Sequence, residues 1–184
     1  MALFPQPFAA AVQKWRVPSG IALAALFALL ADPVPPTLLL GLPFCLLGLA
    51  IRAWAAGHLR KDETLTVSGP YAFVRNPLYV GSLIAALGCV IAAARAELAL
   101  LAGAYFVLVY LPVVELEEQH LAELFPQFRE YAGRVRAFLP SLPGRLPPDS
   151  FSFALYKKNR EQRALYGLAA LYCFLILKSF WRPM

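Results

Sequence analysis

The chain has 184 residues, enough for one domain, and is 60% hydrophobic and 15% charged, with a mean hydropathy of +0.60. A water-soluble domain of this size needs more polar surface, so the composition excludes an ordinary soluble fold and points to the bilayer as solvent. The formal charge is +6, but Lys and Arg lie in the stretches between apolar blocks, which is the distribution of membrane loops rather than of a nucleic-acid surface.

The first apolar block covers 17–31, behind Lys14 and Arg16. These flanks resemble a signal sequence, but no small-residue cleavage site follows and further apolar blocks do, so the block reads as a retained helix. The run 32–36, Asp-Pro-Val-Pro-Pro, ends it, since proline cannot continue a helix. A second block covers 37–59 and a third 78–94. A short turn around Arg95 leads to a fourth, which starts near Glu97, crosses to Val114 and continues as a polar helix to Phe125. The last covers 164–180 and ends in Trp181-Arg182, an interfacial anchor. The pattern predicts an all-α, polytopic membrane bundle of about five transmembrane helices. Its expected organisation is a membrane core over 1–140, a proline-rich linker over 141–150, and a basic segment with a C-terminal hydrophobic helix over 151–184.

Lys14, Arg16, Arg60, Lys61, Arg75, Arg129, Arg134, Arg136, Arg145, Lys157, Lys158, Arg160 and Arg163 fall on one side of these spans, and only Arg95, Lys178 and Arg182 on the other. The positive-inside rule therefore sets the N-terminus in the cytoplasm and the C-terminus outside. The third and fourth blocks form a tight hairpin, so their cytoplasmic ends lie side by side. One end carries residues 69–81 and the other 115–138, which are the most polar stretches of the chain.

In the first stretch, Gly69-Pro70 turns the chain and Asn76-Pro77 starts a helix. Unpaired backbone N–H groups at that start suit an anionic ligand group, and Arg75 adds a bidentate clamp for a carboxylate. The bland alternative is an interfacial turn, with Tyr71 and Tyr79 as headgroup anchors. In the second stretch, Glu115, Glu117 and Glu118 follow an apolar helix directly. Their mutual repulsion requires cations, either arginines of the chain or a ligand bearing sulfonium and ammonium charges, unless the helix extension is simply solvated. Arg52 is the one charge in the second block, and either snorkels to the interface or serves as a pocket partner. His58 lies six residues on, about 120° round the helix, so the two need not pair. Cys45, Cys89 and Cys173 lie in apolar blocks with no CxxC spacing and read as small buried hydrophobes; no cluster suggests a metal.

The run GPYAFVRNPLYVG, followed after a hydrophobic hairpin by VELEEQHLAELFPQFREYAGRVRAFLP, resembles the isoprenylcysteine carboxyl methyltransferases and the related phospholipid methyltransferases, over about residues 49–140. The resemblance implies a helical membrane bundle whose cytoplasmic end encloses S-adenosylmethionine. It implies cofactor contacts from His58, Tyr71, Arg75, Asn76, Pro77, Tyr79, Glu117 and Glu118. Within the acidic pair, Glu118 is expected to meet the ligand and its neighbour to brace an arginine. Two departures stand out: Ala56-Gly57-His58-Leu59 replaces the Gly-x-Gly of the phospholipid enzymes, and Phe125-Pro126 replaces Phe-Gly.

The expected activity is transfer of a methyl group to a lipophilic or lipid-modified substrate, through a carboxylate or an amine. A carboxylate would be oriented by an arginine such as Arg129, Arg134 or Arg136, while an amine would give its proton to His58, His120 or a glutamate. The candidate catalytic residues are thus Arg129, Arg134 and His120, with no metal. Two rival classes remain: a non-enzymatic scaffold or small transporter, and a reductase sharing the core.

Overall fold

The computed structural model describes residues 3–142 and 150–181. Among them every regular element is helical: α1 Gln6–Leu30, α2 Pro35–Ala56, α3 Pro77–Ala93, α4 Glu97–Tyr105, α5 Leu111–Leu124, α6 Phe128–Arg134, α7 Phe153–Lys158 and α8 Gln162–Phe180, with a 3₁₀ turn at Gly69–Ala72. A π turn, Phe106–Tyr110, joins α4 to α5. It falls just before Pro112, which has no N–H to donate to the preceding turn, and the widened backbone accommodates that loss. The continuous rod Glu97–Leu124 has 28 residues. At 1.5 Å per residue that is about 42 Å, longer than an apolar bilayer core, so its C-terminal turns and their acidic run stand clear of the hydrocarbon.

Among the described residues, three helices are long and apolar enough to cross a membrane: Pro35–Ala56, Glu97–Leu124 and Gln162–Phe180. The fourth apolar rod, α3, has only 17 residues. The first rod begins at Gln6 rather than at 17, so it takes Lys14 and Arg16 into the helix. All five rods nonetheless run between the same two ends of the bundle. At one end, Asp32 N–H donates to Ala93 O (2.8 Å) and Lys178 Nζ donates to Ala28 O (3.0 Å) and Leu29 O (2.6 Å). The other end gathers the polar stretches.

The α2–α3 hairpin is the packing centre. A Cβ at Gly48 would lie 2.5 Å from Gly81 O, one at Gly81 2.7 Å from Gly48 O, and one at Gly88 2.6 Å from Gly41 O; one at Gly41 would overlap Gly88 O. Two glycine crossings seven residues apart on each helix thus let the backbones touch, the usual means of helix association in lipid. Cys45 and Cys89 lie buried at this seam, Sγ to Sγ 3.9 Å. Cys173 departs from the expectation, because it lies on the outward face of α8. Tyr172, one position earlier, turns inward and donates its hydroxyl to Leu38 O.

The expected linker falls largely on residues 143–149, which lie outside the described residues, as does Arg182. Beyond it the chain packs back on α2. Ser152 N–H donates to Gly57 O (2.9 Å), and Asn159 Nδ2 donates to Ala56 O and Leu59 O (2.9 Å each).

Candidate functional site

The polar end encloses a cavity of about 940 Å³, within the range of cofactor sites. Its wall draws on α1, α2, the stretch 59–66, the turn before α3, α5, α6 and the start of α8. Three arginine–carboxylate pairs stand round it, each joining elements far apart in sequence.

The first follows from the geometry of α5. Glu115 and Glu118 share a face, while Glu117 points about 100° away from Glu118. Glu118 turns to the start of α3, where Arg75 Nε and Nη2 donate to its two oxygens (3.0 and 3.1 Å) and Asn76 Nδ2 donates to Oε1 (2.8 Å). Arg75 Nη1 also donates to Ala132 O (2.8 Å), and the backbone N–H groups of Arg75 and Asn76 donate to Arg136 O (2.9 Å) and Ala137 O (3.2 Å). Tyr131 Oη donates to Tyr71 O (2.8 Å). The two motif stretches are therefore bonded into one body. Arg75 acts here as a brace, and its carboxylate partner is Glu118 rather than a ligand.

Glu117 turns the other way. Arg16 Nη1 donates to Glu117 Oε1 (3.2 Å) and to Tyr79 Oη (2.8 Å). These side chains stay 35% and 38% exposed, against 16% and 23% for Arg75 and Glu118. Within the acidic pair, Glu118 is engaged by Arg75 and Asn76, and Glu117 is the more exposed of the two. Glu115 accepts from the N–H groups of Leu3 (2.6 Å) and Phe4 (3.2 Å) and ties down the N-terminal segment.

The third pair joins α2 to the start of α8. Arg52 Nε and Nη2 donate to Glu161 Oε1 (2.6 Å) and Oε2 (2.9 Å), while Nη1 donates to Ser82 Oγ (2.5 Å) and Leu78 O (3.2 Å). Arg52 is thus a partly buried partner in the cavity wall. Burial holds the hydroxyls of Tyr71 and Tyr131 well above the ordinary phenol range, and nearby tyrosine and carboxylate charges add to this for Tyr71.

Of the residues singled out from the sequence, Tyr71, Arg75, Asn76, Tyr79, Glu117, Glu118 and His120 line the cavity. His120 Nε2 lies 3.5 Å from Asp62 Oδ1 at the open rim, with both side chains more than half exposed. Four others are not brought there. Pro77 is fully buried beneath the wall. His58 is buried behind it, its Nδ1 at 2.9 Å from Trp54 O and its ring edge-on to Trp54 and Phe151. Gly69, at φ +57°, passes so close to that ring that a Cβ would meet it at 2.7 Å; His58 shapes the turn through this contact. Arg129 is exposed on α6 outside the lining, and Arg134 is paired in solvent with Glu130 one turn earlier (3.1 Å). Neither arginine lines the cavity, toward which α6 turns Phe128 and Tyr131.

Sequence reasoning missed Arg16, Glu161 and Asn159 as wall residues. A signal existed for one: a lone Arg within an apolar helix demands a counter-ion, and Glu161 is the only acid in the basic stretch 157–163.

The two motif stretches that build this end of the bundle lie within, or border, a segment that matches a known family. Residues 37–127 match the phospholipid methyltransferase family. This segment belongs to that family. With three helices fit to span a bilayer, the chain is an integral membrane protein. The match begins earlier than the resemblance read from the motifs and ends before α6.

The chain is 42% identical over 111 residues to the cobalt-zinc-cadmium resistance protein CzcN of Cupriavidus metallidurans, covering 59% of this chain and 51% of that protein. It is 36% identical over 93 residues to the nickel-cobalt-cadmium resistance protein NccN of Alcaligenes xylosoxydans xylosoxydans, covering 50% and 44%. The chain thus matches about half the length of these curated relatives. No solved structure matches it significantly. Among the described residues, no three His, Cys, Asp or Glu side chains cluster as a metal site would require.

Proposed function

We propose that the chain is an S-adenosylmethionine-dependent methyltransferase, holding the cofactor in the polar-end cavity and methylating a lipophilic or lipid-modified substrate at the membrane. The observation that carries this reading is the Arg16–Glu117 pair. It offers one cation and one carboxylate, each about a third exposed, in a cavity of about 940 Å³ edged by Tyr71, Tyr79 and Tyr110. That donor set fits a zwitterionic amino-acid end beside a sulfonium, for which aromatic faces and a carboxylate are the natural neighbours.

When bound, the cofactor supplies a methyl group already activated by positive sulfur, which a nucleophile's lone pair takes as the carbon–sulfur bond breaks. The chain's residues then have to position, shield and move a proton. Arg75, Asn76 and Glu118 lock α3 to α5 and fix where Glu117 stands. Tyr71 and Tyr131 exclude water behind the wall. His120, at the rim, is placed to take a proton from an amine acceptor, whereas a carboxylate acceptor needs no base. The clustering of Lys and Arg at this end supports a cytoplasmic orientation of the cavity. The metal-resistance names of the relatives bear on the setting in which the chain works and assign no metal to it.

The test is incubation of the detergent-purified protein with methyl-labelled S-adenosylmethionine and vesicles of total membrane lipid. We expect label in the organic-soluble product, and loss of most of it in Glu117→Gln. Folded protein that neither binds S-adenosylhomocysteine at millimolar concentration by calorimetry nor labels any lipid would overturn the reading.

A further inference from the structure

Asn159 and Glu161, from the stretch 150–163, also line the cavity and lie beyond the family-matched segment 37–127. This stretch is strapped to the end of α2. Besides the backbone bonds to Gly57, Ala56 and Leu59, Lys158 Nζ donates to Glu63 Oε1 (2.5 Å), and the Phe151 ring covers Gly57 so closely that a Cβ there would overlap it. Its innermost contact is Glu161 on Arg52. Glu161 is only 8% exposed and Arg52 22%, so this is the most enclosed of the three pairs round the cavity.

Three guanidiniums on the wall are each matched by one carboxylate, Arg16 by Glu117, Arg75 by Glu118, and Arg52 by Glu161, while Arg60 and Lys61 of the stretch 59–66 also line it. Glu117 is open enough to be drawn to a ligand and Glu118 is held by two partners from before α3. Glu161 is the one supplied by the C-terminal strap, outside the family-matched segment. We propose that Glu161 is a specificity-determining residue. By cancelling the charge of Arg52, it removes one positive charge from the acceptor side of the cavity and so tunes which headgroup charge the site admits. The assignment of this side to the acceptor rests on the methyltransferase reading above.

Without the Glu161 charge, Arg52 keeps its place through Ser82 and Leu78 but projects an uncompensated positive charge into a partly desolvated space. Such a charge attracts an anionic headgroup and repels a cationic one. An enzyme with this strap altered therefore shifts toward acidic amphiphiles without any change in cavity shape. Glu161 acts through Arg52 and touches no reacting atom, so it is a positioning residue.

The test compares two probes with the same tail, decanoate and decylamine, bound to the full-length protein in a neutral detergent. Their dissociation constants are measured by calorimetry in the wild-type protein, in Glu161→Gln, and in the neutral pair Arg52→Gln/Glu161→Gln. We expect the ratio of the decanoate to the decylamine constant to fall about tenfold in Glu161→Gln, for a charge this enclosed, and to return to the wild-type value in the double variant. If Glu161→Gln fails to fold, Arg52→Gln carries the test from the other side: it leaves the Glu161 charge uncompensated, so the ratio should rise about tenfold, and an unchanged ratio there overturns the proposal. An unchanged ratio in folded Glu161→Gln, or a double variant whose ratio departs from wild type, overturns the proposal. S-adenosylhomocysteine binding by the wild-type protein is measured alongside. Its absence defeats the methyltransferase reading, whereas the probe ratio alone decides the role of Glu161.

Discussion

Replacing Glu118 by Gln separates a brace from a ligand contact. Both carboxylate oxygens are engaged, by Arg75 at 3.0 and 3.1 Å and by Asn76 at 2.8 Å. The pair is 16% and 23% exposed, so solvent screens it only in part. Gln keeps one acceptor oxygen but turns an NH₂ toward the guanidinium and leaves Arg75 without a counter-charge. A hydrogen bond to a charged group contributes about 1.5–3 kcal/mol, and breaking a fully buried pair costs about 3–5 kcal/mol. A partly exposed pair with one bond surviving should cost about 2–3 kcal/mol. For a chain of this size that lowers the thermal midpoint by roughly 4–12 °C. Glu123→Gln is the control: Glu123 is exposed on the same helix, and its replacement should stay within about 0.5 kcal/mol. The assay is thermal unfolding in detergent, run with and without S-adenosylhomocysteine. Loss of ligand binding should accompany loss of stability. A Glu118→Gln protein that melts with the wild type yet no longer binds the ligand would refute the brace and make Glu118 the direct contact after all.

Two further outcomes follow from the packing. Gly48→Ala places a Cβ 2.5 Å from Gly81 O and 2.6 Å from Ala85 N, backbone atoms that cannot rotate away; overpacking of this kind costs about 1–3 kcal/mol, whereas Gly103→Ala, with nothing within 4 Å, should be neutral or stabilising, as thermal or denaturant unfolding in detergent will show. The phenols of Tyr71 and Tyr131 are raised above the ordinary value of 10.0 mainly by burial, so the folded protein keeps them neutral where the unfolded chain ionises them. Their contribution is fully present below about pH 10 and is lost as pH rises above it. Absorbance titration should therefore show phenols that ionise only as the protein unfolds, and Tyr131→Phe should remove one of them.

The amino-acid sequence by itself determined the solvent, the helical class and the end of the bundle that carries chemistry. Apolar blocks interrupted by proline and by basic loops can satisfy their backbone only as helices in lipid, and the hairpin connection obliges residues 69–81 and 115–138 to share one end. The family resemblance of their motifs names Tyr71, Asn76, Tyr79 and Glu117 as cofactor contacts, and the structure sets all four on the cavity wall. Partnership was decided only in three dimensions. Arg75 and Glu118 stand 43 positions apart, Arg16 and Glu117 101, and Arg52 and Glu161 109. No periodicity carries such pairings; they are set by which helix faces meet once the glycines of α2 and α3 have brought their backbones together. For the same reason Arg129 and Arg134 could be read as substrate contacts in the chain and yet face solvent. α6 is a single short helix with Phe128 and Tyr131 to bury, and the free energy of covering two aromatic rings outweighs any preference of the arginines between them.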